Sequence, residues 1–138
     1  MNSTDTKASC RLPFSPNFLP LAIEFADKGA RGFGYGDRET NGLVLAVEEL
    51  FAFYQQQAAR GSVVEIEIED EGYRLSLGLS FRMANPDMRA FNLTWNVNPE
   101  SDESLEMLGP MIAARSVSGL RLDFGADERV TLRLTRDR

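Results

Sequence analysis

Residues 62–81 read SVVEIEIEDEGYRLSLGLSF. In the first half Val64, Ile66 and Ile68 alternate with Glu65, Glu67 and Glu69; in the second, Tyr73, Leu75, Leu77, Leu79 and Phe81 alternate with small or polar residues. Successive side chains of a strand point to opposite faces, so a two-residue period with one apolar set marks a strand with one buried and one wet face. Glu71 and Gly72 supply the turn between the halves, and the segment reads as an antiparallel hairpin. The acidic row is then its solvated side.

Upstream the apolar period lengthens. Phe18, Ala22, Phe25 and Gly29, beside Leu19, Ala26 and Ala30, recur at helical spacing and predict a helix over residues 17–31. Pro20 falls in its first turn, where a missing N–H costs little. A second helix is expected over 38–59, where Leu43, Val44, Val47, Leu50, Phe51 and Tyr54 form one apolar stripe and Gly61 marks the end. Between the two, GFGYG at 32–36 has spaced glycines, but a dinucleotide fingerprint follows a strand and this run follows a helix. It reads as a flexible connection, with Asp37 capping the next helix.

Residues 82–102 have no clear period and read as a long loop. A third helix is expected over 103–117, with Gly109 and Pro110 kinking it or delaying its start. LRLDF and RVTLRLT then alternate around a turn at Ala126, Asp127 and Glu128, a second hairpin. SCRLPF at 9–14 fits a short edge strand, where Pro13 need not donate a hydrogen bond. The expected fold class is α+β: a two-layer α/β sandwich in which about three helices cover one face of a mostly antiparallel mixed sheet. The polar residues 1–8 read as a disordered tail and 9–138 as a single domain.

Composition narrows function. At 138 residues a single domain buries roughly two thirds of its unfolded surface and needs no staple. Cys10 stands alone, no apolar run is long enough to span a bilayer, and the polar start lacks the marks of a signal peptide. A cytoplasmic location, away from membrane, is expected, and the glycosylation sequon at Asn92 carries no weight. A net charge of −6 disfavours nucleic acid, whose backbone is bound by Lys and Arg. With no histidine in the chain, Ser-His-Asp and Cys-His catalysis and His-based metal sites are excluded. Carboxylate chemistry or binding remains.

RLPFSPNFLPLAIEFADKGARGFGYGDRETNGLVLAVEELFAFY (11–54) and MIAARSVSGLRLDFGADERVTLRLTR (111–136) resemble the opening strand and helices, and the last helix and closing hairpin, of the anti-sigma serine kinases. These belong to the GHKL ATPases, with histidine-kinase catalytic domains, gyrase and MutL-type proteins. The resemblance places Glu49 of LAVEELFAFY at the general-base position of the family's E-x-x-x-N motif, and Phe53 where its Asn helps hold magnesium. An aromatic ring offers magnesium no oxygen. The adenine-reading D-x-G-x-G motif falls on SFRMANPD, where Asp87 comes several residues late, and the Gly-rich phosphate run falls on SLEMLGPMI, where only Gly109 remains, followed by a proline.

The resemblance thus implies a regulatory domain acting by protein binding rather than an enzyme. Its partner would be a sigma factor, an anti-anti-sigma protein or a second copy in a homodimer. ATP and magnesium are implied only if the degenerate pocket still binds them, and no metal site is read. Two alternatives stay open: a divergent serine kinase or ATPase using Glu49, with metal ligands from Asp87, Asp102 or Glu103, and a small-molecule pocket walled by Phe53. Glu49 also reads as a surface or capping carboxylate, and Phe53 as core filling or a partner contact. Phe91 and Trp95 read as core anchors or as an exposed binding patch.

Overall fold

The computed structural model describes residues 6–88 and 107–138. The chain runs through β1 (Lys7–Pro13), a 3-10 turn at Pro16–Phe18, α1 (Leu19–Gly32), α2 (Asp37–Gln55), β2 (Val63–Asp70) and β3 (Arg74–Arg82). It then resumes with α3 (Leu108–Ser116), β4 (Gly119–Phe124), a 3-10 turn at Ala126–Glu128 and β5 (Arg129–Asp137). The five strands form one sheet in the order β1-β2-β3-β5-β4, and every pairing is antiparallel. The hairpin of residues 63–82 lies at its centre, with Ile66 opposite Leu79 and Ile68 opposite Leu77.

Alternation decides the two faces. Leu12, Val64, Ile66, Ile68, Leu75, Leu77, Leu79, Phe81, Val130, Leu132 and Leu134 point to one side and are buried beneath the helices. Glu65, Glu67, Arg129 and Arg133 point to the other and are exposed. An antiparallel sheet tolerates water on one face, which is why the strands alternate so regularly. The helical layer is centred on α2, which packs against α1 on one flank and α3 on the other. Leu43, Ala46, Val47, Leu50, Phe51 and Tyr54 of α2 are wholly buried. Burying such side chains stabilises by about 1.5–3 kcal/mol each, so α2 is the main apolar contributor among the helices.

Several boundaries differ from the sequence expectation. β1 begins at Lys7, because Lys7 and Ala8 continue the ladder opposite Glu69 and Ile68. The start of α1 is taken up by the 3-10 turn, and α2 ends four residues early at Gln55. Asp37 does not cap α2: Gly36 holds the N-cap position, and Asp37 Oδ1 accepts a hydrogen bond from Arg31 at 2.6 Å. The connection read as flexible is pinned by Tyr35, which is buried and donates its hydroxyl to Asp70 Oδ1 at 2.9 Å. Gly34, with φ of 88°, supplies the left-handed backbone that this connection requires. The third helix starts at Leu108, with Pro110 in its first turn. Most of the segment read as a long loop, with Phe91, Trp95 and Asp102, and the expected helix start at Glu103 lie outside the described residues.

Candidate functional site

The C-terminal half of α2 gathers the four positions singled out by the sequence. Glu49 and Phe53 stand one turn apart on its half-buried flank. The first turn of α3 crosses at Glu49: a Cβ built on Gly109 would lie 2.8 Å from Glu49 Oε2 and 3.9 Å from its Cβ. No side chain fits between Gly109 and Glu49 unless the carboxylate swings away. Pro110, next in the chain, is buried and brings no N–H to the crossing.

Phe53 belongs to an aromatic cluster. Its ring meets Tyr54 edge-on, at 4.9 Å between centroids and 86° between planes. Tyr54 in turn lies 5.7 Å from Phe81, which lies 4.9 Å from Phe14. Edge-to-face and tilted pairs at these separations are favourable, and they explain why aromatic residues occupy the end of α2 and the end of β3 together.

Asp87 is held at the same end of α2 through its main chain. The buried Tyr54 hydroxyl donates to the Asp87 carbonyl at 2.6 Å, and the Asp87 N–H donates to Gln57 Oε1 at 3.1 Å. Burial first, and the Asp87 charge second, push the Tyr54 hydroxyl well above its ordinary pKa. Tyr54 and Gln57 were not singled out in the sequence. Tyr54 counted only as part of the apolar stripe, and its hydroxyl finds its partner through a contact 33 residues away.

The structure therefore brings Glu49 and Gly109 into contact and anchors Asp87 beside Phe53's neighbour, Tyr54. At the position where the resemblance expects a magnesium-binding Asn, the Phe53 ring supplies no oxygen, so it does not fit the ion. Among the described residues no three His, Cys, Asp or Glu side chains are grouped to hold a metal ion. Among the same residues no helix is long and apolar enough to cross a membrane.

No protein-family model matches the chain, and no curated protein matches it. Its fold is similar to a crystal structure of the RsbU and RsbW domains of a Mycobacterium tuberculosis protein, with a TM-score of 0.65 and 15% sequence identity. The match covers 99% of this chain and 33% of that chain, so the present chain spans about a third of its neighbour's length. At that identity the likeness establishes the fold alone, an α+β sandwich with helices on one face of an antiparallel sheet.

Proposed function

We propose that this chain is a regulatory domain of the anti-sigma-kinase kind that acts by binding a protein partner, with ATP binding weakened or lost. The observation that carries the reading is the state of the α2 flank. By resemblance Glu49 takes the position of the family's general base, while in the fold Gly109 closes on its carboxylate and Phe53 offers an aromatic ring one turn on. The RsbW domain of the structural neighbour is an anti-sigma factor kinase of the GHKL family, which supports the choice of partner class. In this reading residues 9–138 act as one cytoplasmic domain, and the partner is a sigma factor, an anti-anti-sigma protein or a second copy of the chain.

Isothermal titration with ATP, and with ADP and magnesium, tests the first half of the proposal. The expected result is no binding at the α2 flank up to millimolar nucleotide, read in parallel from the amide resonances of Glu49, Phe53 and Gly109. Micromolar binding that shifts those amides, with turnover abolished by Glu49→Gln, would put a divergent ATPase or kinase in its place. Affinity capture from the native cell tests the second half: recovery of a sigma factor or an anti-anti-sigma protein supports it, and recovery of neither, with a monomer in solution, overturns it.

A further inference from the structure

The open face of the sheet carries a second site, remote from α2's buried flank. At the end where β1 and β3 finish and β2 and β5 begin, Arg11, Arg60, Arg82 and Arg129 line a cavity of about 560 Å³ together with Ser62 and Ser80. Arg11 lies on the edge strand, Arg60 on the connection from α2 to β2, Arg82 at the last position of β3 and Arg129 at the first of β5. Four chain segments are needed to bring these guanidinium groups together.

The charge there is unbalanced. Among the described residues Glu65 is the one acidic residue lining the cavity, and its Oε2 accepts a hydrogen bond from Arg129 at 2.9 Å. Among the described residues the side chains of Arg11, Arg60 and Arg82 have no hydrogen-bond or ion-pair partner. Among the described residues four arginines against one glutamate leave an excess of three positive charges, in a chain whose net charge is −6. The sheet register sharpens the imbalance, because Arg82 and Arg129 are direct cross-strand partners. Like charges directly opposite each other on one face destabilise a sheet, and an anion seated between them reverses the sign of that interaction.

We infer that this cavity is a binding site for a phosphoryl group. Guanidinium presents a planar fork of N–H donors that matches phosphate oxygens, and several forks lining one cavity suit a dianion better than a single carboxylate. The neighbouring surface restricts the ligand's size. Glu67 and Glu69 continue the face along β2, so an extended polyanion such as nucleic acid meets repulsion within a few residues of the cavity. A single phosphoryl or diphosphoryl group fits, carried either by a small molecule or by a phosphorylated side chain of a protein segment. This inference is independent of the function proposed for the α2 flank.

Pyrophosphate, a serine-phosphorylated peptide of otherwise neutral composition, and its unphosphorylated form are titrated into the full chain at low ionic strength. Binding is followed by calorimetry and by the amide resonances of Gly61, Ser62, Arg82 and Arg129. The expected result is binding of both phosphorylated probes but not of the plain peptide, weakened about tenfold or more in the Arg82→Gln/Arg129→Gln double variant. A phosphopeptide tighter than pyrophosphate assigns the site to a modified protein; the reverse assigns it to a small phosphorylated molecule. Arg82→Gln alone removes the cross-strand repulsion, so its unfolding midpoint is expected to match or exceed the parent's, separating lost binding from lost folding. Absence of binding at millimolar probe, binding unchanged in the double variant, or equal binding of a peptide carrying glutamates in place of phosphoserine overturns the inference.

Discussion

Gly42, in the first half of α2, lies so close to the backbone carbonyl of Ser116, at the end of α3, that a Cβ at position 42 would collide with that oxygen. Arg136 Nε would lie 3.6 Å from the same Cβ. The missing side chain is what lets α3 settle against α2.

Gly42→Ala is therefore expected to destabilise the fold by about 1–3 kcal/mol, the usual cost of overpacking, although alanine is the better helix former by about 1 kcal/mol. The obstacle is backbone and cannot rotate aside. Urea unfolding of the variant checks this, and a midpoint equal to or above the parent's would contradict so tight a crossing.

Gly109 presents the opposite case, since the atom it would meet is the far end of the flexible Glu49 side chain. Gly109→Ala should cost little alone and become stabilising when Glu49 is also alanine. A double-mutant cycle by denaturant titration is expected to give a coupling of about 0.5 kcal/mol or more between the two sites, and a coupling of zero would show that they do not touch.

Tyr54→Phe keeps the apolar packing and removes the 2.6 Å hydrogen bond to the Asp87 carbonyl, a loss of about 1 kcal/mol. It should also change the alkaline limb of stability. The folded-state pKa of Tyr54 is raised above its ordinary value of 10.0, chiefly by burial, so the fold favours the neutral phenol. That contribution is complete below the unfolded pKa and is lost as pH rises toward the folded one. Melting curves above pH 10 should fall less steeply for Tyr54→Phe than for the parent, relative to the ordinary value of 10.0; parallel slopes would refute the assignment.

Asp70 titrates with the opposite sign. The Gly72 N–H first, and the Tyr35 hydroxyl second, hold its carboxyl below the ordinary 3.8. The stability it contributes is present above that ordinary value and is lost as pH falls through the folded-state value. Asp70→Asn should lower the melting point at neutral pH, flatten the acid limb, and speed amide exchange at Tyr35, whose connection it pins. An unchanged acid limb would exclude this role.

The turn at Asp127 and Glu128 places two non-glycine residues at φ of 56° and 62°. Left-handed backbone costs an ordinary residue about 1 kcal/mol or more. Glu128→Gly is accordingly expected to stabilise by about 0.5–1 kcal/mol, visible as a rise of roughly 2–3 °C in the melting point. A drop would mean that the Glu128 side chain holds the turn by a contact worth more than the strain.

The hairpin and the stripe of α2 were legible in the sequence because each is a local period imposed by burial on one face. The helix ends were less so: Gly36 at the N-cap and the early end at Gln55 depend on where neighbouring elements permit the backbone to turn. Of the candidate site, Glu49 and Phe53 were singled out by the resemblance of LAVEELFAFY to the E-x-x-x-N motif, and their i, i+4 spacing put them on one flank of α2. The approach of Gly109 to Glu49, and the hydrogen bond from Tyr54 to Asp87, join segments far apart in the chain, which no local period encodes. Arg11 and Arg129 could each be assigned to a strand's wet face by alternation, whereas Arg82 fell in the segment read as a loop and the structure extends β3 to include it. That Arg82 faces Arg129 required the β3–β5 register, across 46 intervening positions, to be known.

What the sequence determined by itself is the set of elements, their order and the face each one buries, since those follow from where apolar side chains recur. Tertiary structure alone decided the strand order, the crossing of α3 over Glu49 and Gly42, and the convergence of four arginines. Those features depend on which faces meet and at what register, and that choice is made by packing summed over the whole chain.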